Sequence, residues 1–334
     1  MGELGTAATT LVDVAKRLDP DGTIADIAEL LAQMNPMLQD MAWKESNLPT
    51  SHRTTVRTTL PTVGWRTLNT GSTPSKSTTG QAEDSLAILD AWFEVDKHIA
   101  DLNGNTEQFR LSESTAFVEA MAQEVAGTVI YGNVGTAPEE FTGLAPRYNS
   151  LSGTTASNVI TGGGGSGGDN SSIWLVGWGD EKIFGIYPKG SKAGLVHENL
   201  GLVTVETTAG VGGTRMRAYQ DHWEWKCGLC VKDWRYAVRI PNIDISALVT
   251  KTANADLWEL MIKATHRIPN LAACKPVFYM NRTCMQMLDI LGRDDVISGG
   301  QLKYEVVAGM PVTTFRGIPV RISDQITEAE TTVS

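Results

Sequence analysis

The chain has 334 residues, 42% of them apolar, and its 28 lysines and arginines stand against 38 acids for a formal charge of -10. That length exceeds what one hydrophobic core usually organises and predicts two subdomains, or one domain with extensions. The negative balance and the lack of a basic tract disfavour tight coating of nucleic acid, and no stretch reaches the roughly 18 apolar residues of a membrane-spanning helix.

Met1-Gly2-Glu3-Leu4 is not a basic region followed by an apolar run, so the expectation is a cytoplasmic protein. Leu11, Val12, Ala15 and Leu18 recur at helical spacing, as do Ile24, Ile27, Ala28, Leu31 and Met34 after the breaker Asp19-Pro20-Asp21-Gly22. These are two short amphipathic helices without a domain of their own, an arm whose stripes must be buried elsewhere. Asn35-Pro36 and Leu48-Pro49 punctuate the route onward.

From Arg53 to Asn69, threonines mixed with Val56, Leu60, Val63, Trp65 and Leu68 suit extended structure, and Leu86 to Val95 alternates apolar and polar residues. With a flexible tip around Thr70 to Gly80, these two runs predict one long hairpin. Its outgoing limb is basic, with Lys44, Arg53, Arg57, Arg66 and Lys76, and its return limb acidic, with Glu83, Asp84, Asp90, Glu94, Asp96 and Asp101. Such limbs either pair with each other or each meet a neighbour's complement. An isolated hairpin is marginal in water, so this one needs a surface to lie on.

The strongest pattern is a helix from Ser112 to about Tyr131. Phe117, Met121, Val125 and Val129 recur every four residues, Ser112 suits the N-cap, and Gly132 suits a left-handed stop. Beyond it, the glycine run from Gly162 to Gly168 reads as a mobile loop. Strands are predicted at Ser172 to Trp178, Ile183 to Tyr187, Leu202 to Thr207, Arg215 to Trp225, Trp234 to Ile240, Val277 to Met280, Tyr304 to Val307 and Ile318 to Ile322. Asn254 and Asn281 are candidate caps of two helices, the second ended by Gly292. The arrangement is α+β, without internal repeats.

Chemistry-bearing motifs are sparse. Cys227-Gly228-Leu229-Cys230 has the spacing of a zinc or thiol redox site, which keeps a zinc- or thiol-dependent enzyme open as an alternative. Zinc, however, needs a second pair, and Cys274 and Cys284 fall on different elements; redox chemistry wants a strand followed by a helix, whereas the surroundings read as strands. Packing cysteines fit better. The glycine run lacks the lysine of a phosphate loop, and the scattered histidines 52, 98, 197, 222 and 266 form no zinc-protease motif. No catalytic residue, cofactor or metal ligand is assigned. Three of the nine tryptophans, Trp43, Trp65 and Trp92, lie in the arm and hairpin, where local core is scarcest; they pack under the hairpin or serve at a protein interface.

Four local motifs, taken in order, resemble the major capsid proteins of tailed bacteriophages, whose Hong Kong 97-like fold encapsulins share. They are Phe141-Thr142-Gly143-Leu144 after the long helix; Gly228 to Tyr236 leading to Arg239-Ile240-Pro241-Asn242-Ile243-Asp244; Phe278-Tyr279-Met280-Asn281; and Phe315 to Asp324. The resemblance implies an α+β fold with an N-terminal arm (1–50), an extended hairpin or E-loop (51–105), a peripheral domain with a spine helix (106–145 and 313–334) and an axial domain (146–312). It implies a structural, non-enzymatic protein that assembles as hexamers and pentamers into an icosahedral head. In this reading Trp43, Arg53, Arg57, Trp65, Arg66, Lys76, Asp90, Trp92, Glu94 and Asp96 are inter-subunit contact candidates, and Phe117, Met121, Val125 and Val129 are the spine-helix core, expected to pack on the sheet containing Ile318 to Ile322. The implied partners are further copies of the chain, a separate scaffolding protein, a portal, a decoration protein, and packaged double-stranded DNA held without sequence-specific contacts. The implied location is the virion, assembled in the bacterial host cytoplasm. An encapsulin-like cargo shell is the other implied use, and Lys76 has no matched partner asparagine for a covalent crosslink.

Overall fold

A computed structural model describes residues 33, 35–101, 106–164, 168–206, 215–250, 256–294, 302–307 and 310–334. Both expected arm helices lie outside these residues, as does Asn254. The strands are β1 (Trp43–Glu45), β2 (Ser51–Thr59), β3 (Thr78–Ser85), β4 (Ala87–Asp96), β5 (Asn170–Trp178), β6 (Ile183–Tyr187), β7 (Leu195–Glu206), β8 (Arg215–Val231), β9 (Ala237–Asp244), β10 (Lys275–Met280), β11 (Leu302–Val307), β12 (Met310–Phe315) and β13 (Ile318–Ile322).

The larger of two compact units comprises Asn35–Ala87, Gly127–Ala193 and Cys227–Ser334. Its sheet runs β11-β12-β13-β10-β5-β6, with β9 also on β5 and β1 on β6. Strand β5 is buried at every position, which is why Ile173-Trp174-Leu175-Val176 reads as an unbroken apolar run rather than an alternation. The Trp178 indole N–H donates to the Tyr279 hydroxyl at 2.8 Å, so these two aromatics of β5 and β10 are buried with a polar partner. Residues 35–50 are part of this unit and not a free arm. Met37 and Met41 are buried, β1 runs parallel to β6, and Asp40 accepts from Tyr279 at 2.8 Å and meets Arg321 at 3.1 Å.

Two helices flank this sheet, Leu257–Arg267 and Arg282–Asp294. The first is capped by Asp256, whose carboxylate accepts the Glu259 N–H at 3.1 Å, and so begins after the Asn254 that the sequence suggested. Asn281 caps the second, accepting from the Cys284 N–H at 2.8 Å; that helix runs through Gly292 to Asp294. The glycine run has a packing reason at its start. Gly162 and Gly164 donate to Pro241 and Asn242 carbonyls at 2.7 Å, and a Cβ on Gly164 would lie 2.4 Å from the Asn242 oxygen.

The smaller unit contains Ile88–Ala126 and Gly194–Lys226. In it β8 pairs with β4 on one side and antiparallel with β7 on the other. The first part of the long helix covers this three-stranded sheet. Phe109, Phe117 and Met121 pack with Phe93, Val95 and Trp223, and the Phe117 ring stacks on Trp223 at 4.9 Å. The expected partner of Phe117 and Met121, the sheet of Ile318 to Ile322, is therefore replaced here by β4 and β8. Helical periodicity identifies an apolar face but not what covers it. Val125 and Val129 are buried as well.

The helix spans Thr106–Tyr131, beginning before the expected Ser112 because Phe109 extends its apolar face by two turns and is itself buried. Gly132 ends it for want of space, not for left-handed backbone: a Cβ there would meet the Phe141 carbonyl oxygen at 2.5 Å. The hairpin also differs from expectation. Strand β2 pairs antiparallel with β3, from Ser51↔Ser85 to Thr59↔Thr78, and the pair forms a separate two-stranded sheet. The run from Leu86 to Val95 is β4, whose apolar positions are needed in the smaller unit's core.

Candidate inter-subunit surface

The root of the hairpin is fixed by a chain of contacts that starts in the long helix. That helix ends with carbonyls lacking intrahelical donors. Leu144 donates its N–H to Val129 at 2.9 Å, Gly143 donates to Gly132 at 2.8 Å, and Phe141 and Leu144 are buried against the helix end. A Cβ on Gly143 would lie 2.4 Å from the Thr128 oxygen, so only glycine permits this approach. The closed turn positions Arg147, which donates to the Thr142 and Gly143 carbonyls at 3.2 Å and to the Asp84 carboxylate at 2.7 Å. Asp84 is buried in β3 at the hairpin root, and its other oxygen accepts the Val231 N–H at 3.3 Å. Arg53 and Glu83, cross-strand neighbours, pair at 3.0 Å within the hairpin.

Beyond this root no described residue outside the hairpin covers its tip. At the tip Leu60, Val63, Trp65 and Leu68 are 77, 88, 106 and 91% exposed. Arg57, Arg66 and Lys76 are exposed too, and among the described residues none of them has an ionic partner. Residues 56–82 carry these three cations and no acid.

The remaining contact candidates fall elsewhere. Trp43 is half-buried in β1, where a Cβ on Gly185 would meet its ring at 2.7 Å, so this tryptophan is a packing residue of the larger unit. Asp96 caps the short helix Lys97–Ala100, accepting from the His98 N–H at 2.7 Å. Asp90, Trp92 and Glu94 project from the face of β4 opposite Phe93 and Val95, as alternation requires. Trp92, 50% exposed, stacks on His222 at 4.1 Å and donates to Asp90 at 3.3 Å; His222 also hydrogen-bonds Asp90, and Glu94 accepts from Gln220 at 2.7 Å. Sequence reasoning did not select Leu60, Val63 and Leu68, because a strand-like pattern implies burial. It also missed Arg147, whose role depends on a residue 63 positions away.

The cysteine pair does not assemble a thiol site. Cys227 and Cys230 both lie in β8, and residues three apart on a strand point to opposite faces. Burial pushes the Cys227 thiol up to about 12; burial, with the Asp84 carboxylate beside it, also raises that of Cys230. Both are packing residues, Cys230 against Phe184 and Ile186.

Comparison with known proteins places this geometry. A chain in the near-atomic-resolution structure of bacteriophage epsilon15, derived from cryo-EM and modeling, is 33% identical and covers 100% of this chain and 99% of its own, with a TM-score of 0.79. More distant are the capsid of a native GTA particle (11% identity, 67 and 95% covered, TM-score 0.46) and the holo-SrpI encapsulin complex from Synechococcus elongatus PCC 7942 (11%, 66 and 93%, 0.41), on which nothing here rests. No curated protein matches. The fold is the α+β, Hong Kong 97-like fold of phage capsid subunits. A family model described as major capsid protein GP7 matches residues 19–334, and the chain belongs to that family. It is a major capsid protein of a phage head, with a structural role, and assembles with copies of itself into the shell of the virion.

Proposed function

We propose that the hairpin is the principal link between subunits: the tip of each chain lies across an adjacent copy, and hexamers and pentamers built this way close into an icosahedral head. The observation that carries this is the pairing of a fixed root with an unsupported apolar tip. Strand β2 alone spans about 30 Å at ~3.3 Å per residue, and Leu60, Val63, Trp65 and Leu68 beyond its far end find no cover among the described residues. Exposed apolar groups clustered on a projecting element mark a protein interface.

In this reading residues 1–50 include the arm that reaches neighbours, 51–105 the hairpin region, 106–145 and 313–334 the peripheral domain, and 146–312 the axial domain. The chain catalyses nothing, and the subunits assemble in the host cytoplasm on a separate scaffolding protein, with a portal at one vertex and room for a decoration protein outside. The enclosed double-stranded DNA is held without sequence-specific contacts, consistent with a chain whose acids outnumber its bases 38 to 28. Negative-stain microscopy of the purified full-length chain, alone and co-expressed with its scaffolding protein, tests the reading. Closed shells or their hexameric and pentameric pieces are expected; a monodisperse monomer under both conditions would overturn it.

A further inference from the structure

The two exposed patches are chemical complements. Across Ile88–Ala126 and Gly194–Lys226 the sequence holds twelve acids and five lysines or arginines, whereas residues 56–82 hold three cations and no acid. Four of these acids, Asp90, Glu94, Glu198 and Glu224, lie on one face of the smaller unit's sheet. Trp223 points inward, onto Phe117, so its neighbour His222 points outward, and register sets Glu198 of β7 opposite His222 and Val196 opposite Glu224 on that same outer face. Ile88, Asp90, Trp92 and Glu94 of β4 share it, with Ile88 64% and Val196 49% exposed.

At the centre stands an indole held in place from two sides. His222 lies under the Trp92 ring and Asp90 accepts its N–H, so Trp92 loses little freedom when something is laid on it. A flat aromatic face bordered by carboxylates suits a guanidinium, which stacks on indole within about 6 Å and pairs with acids at its edge.

Resting on the reading that the hairpin reaches a neighbour, we infer that this outer face is the seat of the tip of a second copy. Arg66 of the arriving copy lies over Trp92 between Asp90 and Glu198, and Trp65 with Val63 covers Ile88 and Val196. The occupant is a second copy because the tip supplies, in adjacent positions of one loop, a guanidinium for Asp90 and Glu198 and apolar cover for Ile88 and Val196; on this face Glu224 already has a lysine, Lys226.

Two full-length variants in a Cys274→Ser background, Arg66→Cys and Glu198→Cys, are co-assembled and oxidised. The inference expects a disulfide-linked dimer on a denaturing gel that appears only when the two are mixed and vanishes on reduction. Normal shells without that band would overturn the seat while leaving the shell reading intact; failure of the unsubstituted chain to form shells would instead overturn the reading beneath it. Charge exchange provides a second arm. Arg66→Glu with Lys76→Glu should lower shell yield at least tenfold, and mixing those chains with Glu94→Lys, Glu198→Lys chains should recover part of it; unchanged yield from the first variant would count against the seat.

Discussion

Glu330 has a side chain 4% exposed, and its carboxylate is fully engaged: it pairs with Arg239 at 2.9 Å and accepts from Tyr131 at 2.5 Å and Ser172 at 2.6 Å. Arg239, equally buried, donates also to the Tyr148 carbonyl at 3.1 Å. The pair ties the C-terminal tail to β9. Removing one partner strands the other charge away from water, so Glu330→Ala should destabilise the subunit by about 3–5 kcal/mol, measured as a shift in the urea midpoint of unassembled chains. Asp40 provides the pH dependence. Burial raises its carboxyl above the ordinary 3.8, outweighing the hydrogen bond from Tyr279 and the charges of Arg321 and Lys275. A raised value means the folded chain holds that proton more tightly, so the contribution is complete below 3.8 and lost as pH rises through the folded value. Against Asp40→Asn, which cannot titrate, the parent should lose relative stability as pH rises above the ordinary carboxylate value of 3.8; calorimetric melts over an acid-to-neutral pH series would read it, and a constant difference would refute it.

Among elements, the long helix and the turn that closes it carry the clearest sequence imprint. The Phe141-Thr142-Gly143-Leu144 motif is explained by geometry: two buried apolar side chains, two N–H donors for the helix end, and one glycine with no room for a Cβ. Gly143→Ala should cost about 1–3 kcal/mol through overpacking against helix carbonyls, and because the same turn carries Arg147 it should also loosen the Asp84 contact at the hairpin root. Thermal melting reads the first effect, and hydrogen exchange at β3 amides reads the second. The hairpin is the element read least well. Residues 78–85, Thr-Thr-Gly-Gln-Ala-Glu-Asp-Ser, have almost no apolar content from which to recognise a strand, and they pair with β2 by backbone hydrogen bonds that any side chains allow. The more apolar β4 looked the better partner, but its inward residues are claimed by Phe117, Met121 and Trp223.

For the whole molecule, stability of the subunit and closure of the shell should be separable. The tip contributes almost nothing to either unit's core, so replacing residues 60–77 with an Asn-Gly turn should leave the melting temperature of the subunit within about 2 °C, a surface change of less than ~0.5 kcal/mol. The same variant should give no shells by light scattering or microscopy. Normal shells from the shortened chain would remove the hairpin from assembly. The division into two compact units also cuts across the linear arm, hairpin, peripheral and axial order: the first part of the long helix and the β7–β8 pair share one unit although some 70 residues lie between them.

Local periodicity determined much of this protein. A repeat near 3.6 marked the long helix, strand composition marked β5, β6 and β13, and a carboxamide before an apolar run marked the Asn281 cap, because each depends on residues within a few positions of one another. The order of four short motifs also carried the family, since each encodes a local geometry, as Gly143 illustrates. Tertiary structure alone decided which strand completes the hairpin, what covers each apolar face, and which charges pair across 63, 91 and 111 residues: Asp84 with Arg147, Arg239 with Glu330, and Arg110 with Asp221. Those choices minimise the free energy of buried groups brought together from distant parts of the chain, and no window of sequence contains both partners.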